Sequence, residues 1–232
     1  MHGLIIFDFD GTLYRGDAPY FYYARAIARH LAEDDRTRYL QQVDAHLSGT
    51  PGVVAGDNWE AVVRLALPFI NDTAVWQSAF LETRAFMLDP VQCPLEVPDG
   101  LVTFLRTVRG TVDLVLATNS PAEACFPLLE RLHLRDAFDI VVPSAGKPQG
   151  LESIAHARWH GAPLPHRTLS IGDHYDNDIA PAWALGWSTV HISPHGYFPG
   201  PSTVRGRTLE DVLPFVWQWV ESLAKDDDDG NS

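Results

Sequence analysis

Apolar residues fall along this chain in two rhythms. Gly3 to Phe7 is a short, almost wholly apolar run, the pattern of a strand buried on both faces of a parallel sheet. From Tyr14 to about Val97 the spacing turns helical. It predicts helices over Ala18–Glu33, Asp35–Leu47, Asp57 or Asn58 to Leu67, and Asp72 to Leu88, with Pro90, Pro94 and Pro98 marking the way out. From Asp99 helix and strand alternate. Helices are expected over Gly100–Arg109, Pro121–Leu132, Leu151–His160, Ile179–Leu185 and Thr208–Ala224. Strands are expected over Val112–Ala117, Phe138–Val142, Thr168–Ile171 and Ser188–Ile192. Strands alternating with helices predict an α/β fold with a doubly wound, Rossmann-like parallel sheet. Residues 1–14 and 98–225 would form that core, and 15–97 an inserted all-helical cap domain with its linkers.

Hydrophobic residues are 46% and charged residues 20% of the 232, the balance of a packed globule. No apolar run approaches the roughly 18 residues needed to cross a bilayer, so no membrane partner is expected. The N-terminus lacks a basic region leading into a long apolar stretch, so no signal peptide is expected. Two cysteines, Cys93 and Cys125, make neither a disulfide framework nor a zinc spacing, which suits a reducing cytoplasm. The net charge of −13 argues against sequence-independent nucleic-acid binding, which needs a basic surface. Part of that charge lies in 226–232, read as a disordered acidic tail. The sequence carries no signal of oligomeric state.

Polar groups gather at four predicted strand ends. These are Asp8 and Asp10, Thr118-Asn119-Ser120, Lys147, and the stretch Gly172 to Asp178. Ligands of open α/β sheets bind just beyond the carboxyl ends of the strands. If the strands are parallel neighbours, Asp8, Asp10, Asp173 and Asp178 converge into a cluster that would repel itself when empty. A hard divalent cation relieves that repulsion, and Mg²⁺ suits few carboxylates, several waters and a phosphate oxygen. Lys147 and the Thr118 hydroxyl would complete a pocket for a phosphoryl group.

In these four stretches the chain resembles the haloacid dehalogenase-like hydrolase superfamily, in its branch with a helical cap between the first two motifs. D-F-D-G-T-L-Y (Asp8 to Tyr14), T-N-S (Thr118 to Ser120), G-K-P (Gly146 to Pro148) and G-D-H-Y-D-N-D (Gly172 to Asp178) look like its four motifs, in order. The resemblance implies that Asp8 is a nucleophile taking the phosphoryl group as an aspartyl-phosphate, and that Asp10 is the general acid and base. It implies metal ligation by Asp8, the Asp10 backbone carbonyl, Asp173 and Asp178, and phosphoryl binding by Thr118, the Asn119 backbone and Lys147. Asp176 competes with Asp178 as the acid of the fourth motif; the family's spacing favours Asp178. An aspartate at position 10 favours phosphate esters over halide displacement. Gln149 and Gly150 depart from the proline and acid that many relatives carry after the lysine.

The expected function is that of a cytoplasmic, Mg²⁺-dependent phosphatase acting on a small phosphorylated metabolite, with a cap that excludes bulk water and large polymers. A sugar phosphomutase of the same superfamily and a non-catalytic phosphometabolite-binding protein are the alternatives. Elsewhere the bland readings are preferred. Tyr14, Tyr20, Phe21, Tyr22, Tyr23, Trp59 and Trp76 read as packing rather than a base-stacking surface. Arg15 reads as solvent-facing sooner than anion-binding. His174 shapes its loop, and His195 and Tyr197 belong to a Gly/Pro-rich loop needing no chemical reason.

Overall fold

The computed structural model describes residues 3–50 and 52–229. In chain order it contains β1 (Leu4–Phe7), α1 (Ala18–Ala28), α2 (Glu33–Leu47), α3 (Asn58–Ala66), α4 (Thr73–Phe86), α5 (Leu101–Val108) and β2 (Asp113–Ala117). There follow α6 (Ala122–Arg131), β3 (Ile140–Val142), α7 (Gly150–Trp159), β4 (Thr168–Gly172), α8 (Ala180–Ala184), β5 (Ser188–Ile192), β6 (Val204–Gly206) and α9 (Leu209–Asp229). A 3₁₀ turn (Pro165–Arg167) leads into β4, and a π-helical turn (Tyr175–Ile179) precedes α8. Among these residues no helix is long and apolar enough to cross a membrane. The chain divides into two compact units, with the cuts at Tyr14/Arg15 and Glu96/Val97.

The first unit is built on six parallel strands in the order β3-β2-β1-β4-β5-β6. The chain winds outward from β1 to β3, then returns to β4 on the other side of β1. That reversal opens a crevice at the carboxyl ends of β1 and β4, where such sheets place their ligands. All four side chains of β1 are buried. Leu4 and Ile6 pack with Val115 and Ala117 against Leu151, Ala155, Ala182 and Trp187, the face covered by α7 and α8. Ile5 and Phe7 alternate to the opposite face, where Phe7 meets Phe138 edge-on at 5.8 Å. Phe104 of α5 meets Trp217 of α9 at 4.9 Å. Burying each such side chain contributes about 1.5–3 kcal/mol, so β1 anchors the sheet.

Two sequence expectations are corrected here. The Gly/Pro-rich stretch after β5 contains a strand, β6. Thr189 and Thr203 exchange bonds between each amide and the other's hydroxyl, at 2.9 and 3.0 Å, and so hold the returning chain against β5. The run Asp226 to Asp229, expected as disordered tail, continues α9, while 230–232 lie outside the described residues. Extending an existing helix gains a hydrogen bond for each residue fixed, so it can run past its packed stripe.

The second unit, Arg15–Glu96, is helical. Its core gathers Tyr20, Tyr23 and Ile27 of α1, Tyr39, Val43 and Leu47 of α2, Val62 and Leu65 of α3, and Ala79 of α4. Helix α1 stops at Ala28, short of the expected Glu33. The Arg36 guanidinium takes the carbonyls of Ala28 (3.0 Å) and Leu31 (3.2 Å), which lets the chain turn into α2. Asp57 caps α3 by accepting from the Glu60 amide (2.6 Å), and Asp72 caps α4 by accepting from Ala74 (2.9 Å). Trp59 packs against Tyr20, Tyr23 and Phe80, and the buried Arg84 guanidinium lies over the Trp59 and Phe80 rings. Arg15 and Glu96 pair as an antiparallel bridge (Arg15 N to Glu96 O 2.9 Å, Glu96 N to Arg15 O 3.1 Å) with a 3.0 Å ion pair between their side chains.

Candidate active site

Four strand ends supply the site, all within the first unit. Beyond β1, the Asp8 amide still pairs with Ile171 of β4 (2.8 Å), so Asp8 is placed by the sheet itself. The chain then turns within a few residues, with the amides of Thr12 and Leu13 both reaching the Phe9 carbonyl. Gly11 takes φ +79°, and a Cβ there would stand 2.1 Å from Asp173 Oδ2. This glycine therefore serves both the turn and the close approach of a carboxylate.

Beyond β2 and β3 the pairing also continues. The Thr118 amide donates to Val142 (3.0 Å) and the Ala145 amide to Thr118 (2.9 Å). These bonds bring Asn119 beside Lys147, whose peptide it clamps from both sides. Lys147 N donates to Asn119 Oδ1 (2.8 Å), and Asn119 Nδ2 donates to Lys147 O (3.0 Å). Gly150, where the family pattern is broken, sits so close to Ala145 that a Cβ would lie 1.9 Å from its carbonyl oxygen. An acid there would not fit this turn.

The Lys147 ammonium, with 2% of its side chain exposed, lies 2.6 Å from Asp8 Oδ1 and 2.6 Å from Asp178 Oδ1. Asp8, Asp173 and Asp178 each offer an oxygen within 4.8 Å of the others. Burial pushes the Asp8 carboxyl up to about 7 against the pull of Lys147. Desolvation alone would lower the Lys147 pKa, but Asp178 and Asp8 together raise it, so the ammonium stays charged. With all three carboxyls ionised, the one ammonium would leave two negative charges uncompensated, which is why the empty pocket favours a proton on Asp8.

Asp178 is buried and Asp176 exposed, a difference made by the π-helical turn between β4 and α8. Ser170 Oγ donates to the Asp178 carbonyl (2.8 Å), and a Cβ on Gly172 would come within 2.4 Å of Asp178 Oδ2. That Oδ2 is buried without a hydrogen-bond partner among the described residues. An orphaned buried carboxylate oxygen, all-oxygen donors and a surplus of two charges fit a hard divalent cation such as Mg²⁺.

Asp10 stands apart from this trio. Tyr14 donates to its Oδ1 (2.5 Å) and Ser120 to its Oδ2 (2.8 Å), so the carboxylate is held from both ends. Sequence reasoning gave neither hydroxyl this role, although both lie inside motif stretches. Thr118 is buried, and its Oγ1 accepts from the Ser120 amide (3.1 Å), which leaves its proton for another acceptor. His191 on β5 was missed entirely: its Nε2 lies 3.2 Å from the Asp173 carbonyl, and burial lowers its pKa, keeping the ring neutral. Arg15 belongs to the other unit, paired with Glu96.

The order of motifs and the convergence of their side chains are those of one known family, and a family model for haloacid dehalogenase-like hydrolases matches residues 2–186. The chain is a haloacid dehalogenase-like hydrolase. This hydrolase is 26% identical over 178 residues to a phosphoglycolate phosphatase of Nitrosospira multiformis, a span covering 75% of this chain and 71% of that one. Among solved structures it is similar to the HAD-type protein YfnB of Bacillus subtilis, solved bound to magnesium. That likeness has a TM-score of 0.61 at 19% identity and covers 92% of this chain and 97% of that one. A haloacid dehalogenase-like hydrolase from Xanthomonas campestris aligns with TM-score 0.57 at 20% identity, covering 96% and 98%. At these identities the structural likeness is one of fold.

Proposed function

We propose that this hydrolase is a Mg²⁺-dependent phosphatase that cleaves a small phosphorylated metabolite through an aspartyl-phosphate on Asp8. The observation that carries the reading is the bridge of Lys147 between Asp8 and Asp178, with Asp173 completing a buried trio and Asp10 held separately by two hydroxyls. Asp8, Asp173 and Asp178 would hold the metal with the Asp10 backbone carbonyl, and the metal would offset phosphoryl charge. An Asp8 oxygen attacks phosphorus while the bond to the leaving oxygen breaks, and Asp10 gives that oxygen a proton. Water then attacks phosphorus, Asp10 takes the proton, and the bond to Asp8 breaks to release phosphate. Thr118 and Asn119 would hold phosphoryl oxygens with Lys147, whose charge also favours the ionised form of Asp8 against the cost of burial. The similarity to a phosphoglycolate phosphatase supports phosphate-ester chemistry, and an acid at position 10 fits it. Two buried thiols, Cys93 and Cys125, suit a reducing cytoplasm.

The test is phosphate release from a panel of phosphate esters that includes 2-phosphoglycolate, in Mg²⁺ and in EDTA, with wild type and Asp8→Asn. EDTA-sensitive release that Asp8→Asn abolishes is expected. Full activity of Asp8→Asn refutes the nucleophile, and silence of wild type across the panel refutes the phosphatase. A sugar bisphosphate formed with little free phosphate would instead establish phosphoryl return, the chemistry of a mutase.

A further inference from the structure

One member of the ligand trio, Asp173, meets a residue that lies in no motif. His191 stands on β5 opposite Gly172 of β4, and its ring reaches one residue further, to the Asp173 carbonyl at 3.2 Å. A carbonyl oxygen only accepts, so Nε2 must carry the proton and the imidazole must be the Nε2–H tautomer. Nδ1 is then a bare acceptor, buried without a partner among the described residues. Burying it so is unfavourable, and an apolar side chain would avoid the penalty. The ring packs against Tyr175 (centroids 5.4 Å) and Phe198 (5.2 Å), and the Arg205 guanidinium lies over the Phe198 ring at 5.4 Å. Arg205 in turn donates to the Gly200 carbonyl (2.8 Å) and to Ser202 Oγ (3.2 Å).

We infer that His191 is a positioning residue for the metal site, setting where Asp173 stands by donating a hydrogen bond to its backbone. The inference rests on the metal reading of the Asp8, Asp173 and Asp178 trio. At its carboxylate Asp173 is bounded by Gly11, where a Cβ would stand 2.1 Å from Oδ2. Asp173 is thus gripped at its carbonyl and confined at its carboxylate. Mg²⁺ demands near-octahedral oxygen geometry, so a shift of this backbone is felt directly as lost affinity. Groups that orient metal ligands characteristically change affinity by about 10–100-fold when removed.

The measurement is calorimetric titration of the full chain with Mg²⁺ alone, for wild type, His191→Phe and His191→Gln. Phenylalanine fills the ring's space without a donor, whereas the glutamine amide can place an N–H near the Nε2 position. Mg²⁺ binding about tenfold weaker in His191→Phe, with His191→Gln within about threefold of wild type, is the expected result. Should His191→Phe not fold, His191→Met, a flexible filler without a donor, takes its place. Unchanged affinity in the donor-free variant overturns the inference while leaving the metal site standing. So does equal weakening in both variants when their melting matches wild type, because packing rather than the hydrogen bond would then matter. Absence of Mg²⁺ binding by wild type overturns the metal reading, and this inference with it.

Discussion

Replacing Lys147 by methionine tests the electrostatics of the site with the chemistry removed. The substitution keeps the unbranched stem, one atom shorter, and deletes its charge, leaving Asp8 and Asp178 to share a buried pocket with Asp173. Breaking a buried ion pair by removing one partner costs about 3–5 kcal/mol, because the other charge stays buried and uncompensated. For a chain of this size each kcal/mol moves the melting temperature by about 2–4 °C, so a fall of about 6–20 °C is expected near pH 8 in EDTA. The pH dependence follows from Asp8. Its folded pKa, about 7, lies above its ordinary 3.8, so the stability linked to its proton is complete below the ordinary value and is lost as pH rises through 7. Lys147, raised above 10.5, keeps its charge throughout this range. Without Lys147 the Asp8 pKa climbs further and the loss with rising pH deepens. The penalty should therefore shrink at about pH 5.5, where Asp8 is already protonated. Mg²⁺ at a hundredfold excess over Kd should stabilise the variant by about 2.7 kcal/mol over its own EDTA state. Differential scanning calorimetry at both pH values, with EDTA and with Mg²⁺, reads all of this. A Lys147→Met protein melting within about 2 °C of wild type near pH 8 in EDTA would refute the reasoning.

Three further outcomes are expected. Because Mg²⁺ must displace the Asp8 proton, its apparent Kd should rise about tenfold per pH unit below 7, with proton release seen by calorimetry in buffers of different ionisation enthalpy; an affinity flat across that range would contradict it. Gly172→Ala forces a Cβ to within 2.4 Å of Asp178 Oδ2, and should cost about 1–3 kcal/mol in denaturant titrations while weakening Mg²⁺ binding. Tyr39→Phe removes the buried bond from its hydroxyl to the Val62 carbonyl (3.1 Å) and should destabilise the helical unit by about 1–3 kcal/mol in urea melts, without changing Mg²⁺ affinity.

Much of this arrangement was legible in the sequence because it depends on local signals. The run Leu4 to Phe7 ending on Asp8 announces a two-face-buried strand, and Asp57 and Asp72 announce helix starts through their own capping chemistry. What escaped depends on neighbours distant in sequence. Strand β6 is three residues, Val204 to Gly206, in a composition typical of loops, and it exists because β5 offers a free edge. The early end of α1 is set by Arg36, eight residues beyond Ala28. At the site, the residue types pointed to a carboxylate cluster facing Lys147. That Tyr14 and Ser120 hold Asp10 from both ends could not be read, since hydroxyls partner many groups and spacing does not choose among them. His191 gave still less signal: one imidazole in an apolar strand is most often a satisfied core residue.

The bridge between Arg15 and Glu96 has a consequence for how the chain assembles. It clasps together the two ends of the helical insert, which makes the insert a very long hairpin tip rather than a free tether. Loop-closure entropy grows only slowly with length, so an insert of a different length changes the cost of bringing these ends together very little. The pairing of β1 with β2 therefore tolerates a longer or shorter insert at a cost of about 0.6 kcal/mol for each doubling of its length. By the same token, the clasp is a natural grafting point, where evolution or an engineer could exchange one insert for another without disturbing the register of a single strand.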